Sequence, residues 1–383
     1  GIRDRCVTGV QTCALPILMS TQQWPEWMPL RSDLASLSPY GAPQLDTPVR
    51  LNTNENPYSL DSSMQKHLVR GIERHLEHLN RYPDRDAEEL RSALARFINA
   101  RSHTSFALEN IWAANGSNEI LQSLALAFEG SAMGFEPSYS MHPLICRVVG
   151  RRWIPIARRS DFTIDLPVAL SAIENESPSL IFLTTPNNPT GTTVAINEIE
   201  EIAKTALAKK AILIVDEAYA EFSSAISAVT LIQKYPNIVV VRTMSKAFAF
   251  AGARVGYLVA RPEVINAMLL VRLPYHLSAL TQSAALAAIE LSDQLLANVQ
   301  RIIDSRKKLQ AQLVSLGLSV LPSDSNFLLF TGLKKDSALV WQSLVDQGIL
   351  IRDVGIPNYL RVTVGTESEN ESFVAALART LNE

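Results

Sequence analysis

The hydrophobic positions of the chain change rhythm three times. Residues 24–56 are rich in Pro, Ser and Leu and hold no sustained period, so they read as an extended arm ending in LNTNENP (51–57). A polar helical stretch follows from Ser62 to His78, closed by Asn80-Arg81-Tyr82-Pro83. Between Asp86 and Ala100, Leu90, Leu94, Phe97 and Ile98 recur at helical spacing. Then come unbroken apolar runs: IWAA (111–114), SAMGF (131–135), SLIFLTT (179–185), AILIVD (211–216), NIVVVRT (237–243) and ARVGYLVA (253–260). An amphipathic helix at 196–210 turns Ile199, Ile202, Ala203 and Ala206 to one side. Strands covered on both faces lose the apolar–polar alternation. Helices alternating with such strands predict a mainly parallel α/β sheet, here from about 80 to 275. Beyond 275 the texture is helical from Thr281 to Leu316. It then mixes short strands (318–332, 349–354, 359–366) with helices at Ser337–Gln347 and Glu369–Leu381. That part predicts a smaller α+β unit. The expected layout is an extension foreign to the fold at 1–18, an arm at 19–56, a large domain at 57–275 and a small domain at 276–383.

Composition narrows the function. The chain has 383 residues, 47% hydrophobic and 19% charged, with a net charge of −3. That is ample length for a buried core, and the acidic balance argues against nucleic acid as a partner. Cys6, Cys13 and Cys146 are too few for a disulfide framework or a zinc site, so a reducing cytoplasm is the expected compartment. No apolar run approaches the roughly 18 residues needed to span a bilayer. Arg3 and Arg5 precede a mildly apolar stretch, but Gln11 and Thr12 interrupt it and no cleavage-site pattern follows.

Ligands of open α/β sheets bind beyond the carboxyl ends of the strands. Four polar clusters follow predicted strands: Gly116-Ser117-Asn118-Glu119, PNNPTG (186–191), Asp216-Glu217-Ala218-Tyr219 and Ser245-Lys246. Together they predict one site. Lys246 follows an apolar strand, where desolvation lowers an amine's pKa and frees it for Schiff-base chemistry; alone it reads as a surface lysine. Asp216 closes an apolar strand, where an unpaired carboxylate is costly, unless it caps a helix. Asn188 alone reads as turn chemistry. Ser117 and Asn118 alone read as helix caps, although the free N–H groups of a helix start also favour an anion. Arg361 lies mid-strand among apolar neighbours, and its fork suits a carboxylate or phosphate; Arg352 is a second such candidate or a solvated strand residue. His75 and His78 have helical spacing but no third ligand, so no metal is expected. His142 is a possible substrate contact.

The motifs then fall into register with a known pattern. LNTNENPY, NRYPD, ANGSNEIL, FEPSYSMHPL, PNNPTG, VDEAYAEF, RTMSKAFAFAGARVGY and YLRVTVGT resemble the fold-type I aminotransferases that use pyridoxal 5′-phosphate, and within them the histidinol-phosphate aminotransferases. The resemblance covers the chain from about Trp27 to its end. It implies a large domain with a mainly parallel seven-stranded sheet and a smaller α+β domain. It implies that Lys246 holds the cofactor and moves the proton, while Asp216 meets the pyridine nitrogen. Asn188 and Tyr219 then meet the phenolic oxygen, and Tyr139 stacks on the ring. Ser117, Asn118, Glu119, Ser245 and Arg254 hold the phosphate. Tyr82 reaches the phosphate of a neighbouring subunit, which makes the protein a homodimer with shared sites.

For the substrate, the resemblance implies Arg361 on the carboxylate or the phosphate that replaces it, and Arg352 as a second phosphate ligand. Tyr40, Asn54 and Glu55 close over the substrate from the arm, and Asn326 lines the pocket. The implied reaction passes the amino group of L-histidinol phosphate to 2-oxoglutarate, giving imidazole-acetol phosphate and glutamate in histidine biosynthesis. An aromatic amino acid aminotransferase is the alternative, because it shares every cofactor residue. A decarboxylase of a phosphorylated amino acid is a more remote reading. A DNA-linked regulator that merely binds the cofactor is disfavoured by the short, weakly basic segment before the arm.

Overall fold

The computed structural model describes residues 24–35, 37 and 41–382; the expected foreign extension at 1–18 and Tyr40 lie outside them. The arm is not wholly extended. It holds one helical turn, α1 (Ser32–Ala35), and a two-residue strand, β1 (Val49–Arg50). α2 (Ser62–Leu76) starts at Asp61, whose carboxylate accepts from the Ser63 and Met64 N–H groups, satisfying two donors that a helix start leaves free. α3 (Glu88–Ser102) buries Leu90, Leu94, Phe97 and Ile98, the face predicted from spacing.

The alternating block follows: β2 (Ile111–Ala114), α4 (Ser117–Ala127), β3 (Ala132–Glu136), α5 (Met141–Val148), β4 (Trp153–Ala157), α6 (Leu166–Glu176), β5 (Leu180–Thr184), α7 (Ile196–Ala208), β6 (Ile212–Asp216), β7 (Ile238–Thr243), β8 (Gly256–Val259) and α8 (Pro262–Val271). Its seven strands form one sheet in the order β2-β8-β7-β6-β5-β3-β4. β8 is antiparallel to both neighbours and the other pairings are parallel. Every residue of β2, β5, β7 and β8 is buried, which is why those runs show no alternation. One face packs Leu213, Val215 and Val240 with Ile199 and Ile202 of α7. The other packs Ile214, Val239 and Val241 with Ile120 and Leu124 of α4 and Met268 of α8.

α9 (Ala279–Glu290) and α10 (Ser292–Ser315) replace the single helical stretch predicted over 281–316. The backbone leaves helical geometry at Leu291 (ψ 14°). The remaining elements are β9 (Ser319–Val320), β10 (Phe327–Thr331), α11 (Ser337–Asp346), β11 (Ile349–Leu350), β12 (Arg352–Asp353), β13 (Leu360–Thr363) and α12 (Glu367–Asn382); α9 packs on α2 and α3, whereas α10 packs on β9, β10 and α12. β12-β13-β10-β9 is an antiparallel sheet. β11 pairs in parallel with β1, tying the arm to this part of the chain.

Candidate active site

The carboxyl ends of β3, β5, β6 and β7 and the start of α4 surround a cavity of about 920 Å³. Its walls include Ser117, Asn118, Tyr139, Asn188, Asp216, Tyr219, Ser245, Lys246 and Arg254 from the large sheet's loops. Asn54 and Glu55 come from the arm, and Arg352 and Arg361 from the antiparallel sheet. The four clusters separated in sequence therefore meet at one sheet edge.

Lys246 sits just past β7. Its Nζ donates to the Thr53 carbonyl at 2.9 Å, and Asn56 Nδ2 grips the Lys246 and Ala247 carbonyls, each at 3.2 Å. The residue borders the cavity, yet the surroundings of Nζ are protein. Burial, with help from the Arg361 and Arg254 charges, lowers its pKa to about 8 against a weaker opposing pull from Glu55. An amine so tuned keeps a usable neutral fraction near pH 7.

Asp216 is 2% exposed. Its Oδ2 lies 3.1 Å from His142 Nε2, and its Oδ1 accepts from the Ala218 N–H at 3.3 Å. His142 packs edge-on to Tyr139 and tilted against Phe182. Histidine 142 thus supports Asp216, where sequence had offered only a possible substrate contact. Nothing in FEPSYSMHPL signals a partner 74 residues away. Tyr219 Oη accepts from Asn54 Nδ2 at 2.9 Å and from Asn188 Nδ2 at 3.4 Å. Asn188 Oδ1 accepts from Arg361 Nη1, and Arg361 Nη2 donates to the Asn52 carbonyl at 2.7 Å. Asn54 adopts a left-handed backbone (φ 55°) and is held by Thr363 Oγ1, which accepts from its N–H at 3.0 Å. Asn52, Thr53 and Asn56 are further site residues missed in the sequence, because LNTNENP reads as a polar loop.

α4 begins at Gly116 without any side-chain cap, so its first N–H groups and dipole remain available to an anion. The packing there requires glycine twice. A Cβ on Gly116 (φ +82°) would stand 2.7 Å from Arg254 Nη2, and one on Gly256 would stand 2.6 Å from the Gly116 carbon and the Ser117 nitrogen. Arg254 is left-handed (φ 56°) and donates to the Ala251 carbonyl at 3.2 Å. Helix start, Ser117, Ser245 and Arg254 make a cradle for a dianion. With a desolvated amine and a buried carboxylate alongside, the donor set fits pyridoxal 5′-phosphate.

One expectation, for Asn326, needs correction, and two others gain detail. The Glu119 side chain turns away from the cavity to accept from the Asn115 N–H, so only its backbone faces the cradle. Asn326 is wholly buried behind the wall and donates to the Asn54 and Glu55 carbonyls at 3.0 and 3.4 Å; it shapes the arm and does not line the cavity. Tyr82 lies outside the chain's own cavity, 79% exposed and stacked on Tyr275 at 4.4 Å. Among the described residues no group of three or more His, Cys, Asp and Glu is placed to hold a metal ion, and no helix is long and apolar enough to cross a membrane.

A lysine beside a buried aspartate and a phosphate cradle, at the carboxyl edge of this sheet, define an amino-group transferase site. The family model described as aminotransferase class I and II matches residues 46–377. Histidinol-phosphate aminotransferase of Mycolicibacterium vanbaalenii is 51% identical over 357 residues, covering 92% of this chain and 95% of that protein. The Mycobacterium avium protein of the same name is 51% identical over 356 residues, covering 92% and 88%. The chain therefore belongs to the class I and II aminotransferases, in the histidinol-phosphate aminotransferase branch. Two crystal structures share the fold. The Sinorhizobium meliloti histidinol-phosphate aminotransferase in complex with pyridoxal-5′-phosphate has a TM-score of 0.78 and 24% identity, covering 88% of this chain and 91% of its own. The Clostridium acetobutylicum enzyme has a TM-score of 0.79 and 22% identity, covering 87% and 99%.

Proposed function

We propose that this chain transfers the amino group of L-histidinol phosphate to 2-oxoglutarate, using pyridoxal 5′-phosphate, as a cytoplasmic homodimer of histidine biosynthesis. The bound cofactor supplies an electron sink for the carbanion formed when the substrate's Cα loses its proton. Lys246 would hold the cofactor, and its amine would carry that proton as base and then acid. Asp216, backed by His142, would keep the ring nitrogen protonated. Tyr219 and Asn188 would hold the phenolic oxygen, and Tyr139 would pack against the ring.

The observation that carries the substrate assignment is the pairing of β12 with β13. Arg352 stands directly opposite Arg361 in their antiparallel register, so both side chains leave the same face. Both border the cavity. Arg361 contacts Asn188 and Asn52 and lies over the Phe327 ring, whereas the buried Arg352 Nη1 has no hydrogen-bond partner. Two adjacent guanidinium groups favour a phosphate dianion over the monoanionic carboxylate of an aromatic amino acid. Arg352→Ala is therefore expected to slow the histidinol-phosphate half-reaction far more than the glutamate half-reaction, and Arg361→Ala to slow both. A lost charge-assisted hydrogen bond of about 1.5–3 kcal/mol is roughly a ten- to 150-fold drop in efficiency. Stopped-flow absorbance on each half-reaction decides it. Equal losses for Arg352→Ala remove the phosphate role, and a wild-type preference for phenylalanine transfers the reading to an aromatic aminotransferase.

The dimer reading rests on Tyr82. It is exposed beside Tyr275, and Leu79, Leu270 and Leu273 of the same two segments are exposed as well. A second copy would cover this apolar surface and present Tyr82 to the neighbouring cradle. Tyr82→Phe is expected to weaken cofactor binding by about 0.5–1.5 kcal/mol. Hybrid dimers give the sharper check. A Tyr82→Phe subunit paired with a Lys246→Ala subunit should keep one intact site, while a doubly substituted subunit paired with wild type should keep none. The reverse pattern, with the intact site in the doubly substituted hybrid, would mean that Tyr82 acts within its own subunit and that the sites are not shared.

A further inference from the structure

Behind the reacting groups lies a buried charged cluster that the reaction does not use. Glu217 follows Asp216 directly. Because successive side chains leave opposite faces of a strand, Glu217 turns to the face opposite Asp216. There Arg242, four residues before Lys246, reaches two carboxylates: Nη2 lies 2.7 Å from Glu217 Oε2, and Nη1 2.9 Å from Glu221 Oε1. All three side chains are less than 10% exposed. Ser227 Oγ donates to Glu217 Oε2 at 2.7 Å and accepts from Arg242 Nη2 at 2.9 Å, and the Ala228 N–H donates to Glu217 Oε1 at 2.7 Å.

We propose that Arg242 and Glu217 form a positioning pair that fixes the Asp216–Tyr219 loop against the strand leading to Lys246. The backbone alone ties these segments loosely past the sheet, since Glu217 N–H to the Val241 carbonyl (2.9 Å) is the last bond in the ladder between them. Beyond it, Tyr219 stands at the start of a 3-10 turn, Ala220–Phe222, with the ion pair as its anchor to β7. Removing one member of a buried pair leaves the other charge uncompensated, which is far more disruptive than loss of a surface bridge.

The two carboxylates are not equivalent. Glu217 accepts from three donors, Ser227 Oγ, the Ala228 N–H and Arg242 Nη2. Glu221 has one contact, to Arg242, and its Oε2 is buried without a partner; burial raises its pKa despite the arginine. Glu217 is thus anchored from three sides, and Glu221 by the arginine alone. Glutamine at 221 can keep its oxygen on Arg242 and put its amide nitrogen where Oε2 has no partner, whereas at 217 that nitrogen must face a donor.

This inference rests on the transaminase reading, so the test uses wild-type holoenzyme as its reference: failure of the wild type to take up pyridoxal 5′-phosphate sinks that reading alone. With cofactor bound, Glu217→Gln should lower kcat roughly ten- to 100-fold, the scale of a displacement of about 1 Å at the reacting groups. KM should stay within about twofold, and the visible circular dichroism band of the bound cofactor should change. Glu221→Gln should leave kcat and the dichroism within about twofold of wild type. If Glu217→Gln melts early without folding at assay temperature, Arg242→Lys is the second variant: it keeps the charge but not the fork that spans both carboxylates, and the same kcat and dichroism losses are expected. Unchanged kcat and dichroism in a folded Glu217→Gln or Arg242→Lys protein overturns the proposal, as does an equal loss in Glu221→Gln.

Discussion

Lys246→Ala abolishes transamination while the protein stays folded. The side chain contributes a single hydrogen bond to the fold, from Nζ to the Thr53 carbonyl, so its loss leaves the core untouched. What disappears is the group that carries the proton, a contribution of about 10²–10⁴-fold on its own, together with the only amine lining the cavity among the described residues. The expected loss is at least about 10⁴-fold, with pyridoxal 5′-phosphate still held noncovalently by the cradle at Ser117 and Arg254. Borohydride treatment followed by peptide mapping checks the assignment, and a cofactor fixed to any other lysine defeats it. The depressed amine adds a pH signature. With its pKa at about 8, the neutral fraction at pH 7 is about one in ten, against less than about one in 10³ for an ordinary lysine. The rate at which cofactor-free protein captures pyridoxal 5′-phosphate should rise about tenfold per pH unit below 8 and flatten above it. A rise continuing toward pH 10 would show that the amine is not desolvated.

Asp216→Asn has the second-largest effect. The amide keeps the size of the carboxylate and still has His142 within reach, so cofactor content should be near that of wild type. An amide cannot hold a proton on the pyridine nitrogen, and the electron sink weakens. Loss of one aimed electrostatic group costs about 10²–10³ in kcat. Turnover near wild type at saturating cofactor would exclude the ring-nitrogen contact.

The apolar runs at 180–184, 212–216 and 238–243 were legible because a strand buried on both faces has no polar positions to disguise it. The strand β4 was not legible. It edges the sheet, its exposure is mixed, and Pro155 interrupts its pattern. α6 carried a readable start, with Asp165 capping and Pro167 in its first turn, but its apolar face is narrow. At the site, Lys246, Asp216, Asn188 and Tyr219 were legible because each ends or follows a strand. The His142–Asp216 contact and the Arg242–Glu217 pair were not, since both join segments that only folding brings together. Asn326 misled for the same reason: a polar residue before an apolar strand looks like a pocket residue, and only the packed structure reveals it behind the wall.

The arm's attachment has a mechanical consequence. Leu51 N–H donates to the Leu350 carbonyl at 2.7 Å, and its own carbonyl accepts from the Thr363 N–H at 2.9 Å. Residues 49–51 are thus stitched between β11 and the end of β13, the strand that carries Arg361. The chain that roofs the cavity and the arginine that grips the substrate cannot move separately. Whatever displaces β13 drags Thr53, Asn54 and Asn56 with it, and through them the hydrogen bonds on the Lys246 amine and carbonyl. Extra residues spliced into 41–47 would lengthen a tether and leave this coupling whole. A single residue spliced between 51 and 54 would leave the stitching at 49–51 in place but shift Thr53, Asn54 and Asn56 by one position against it, and so uncouple anion capture from the lysine.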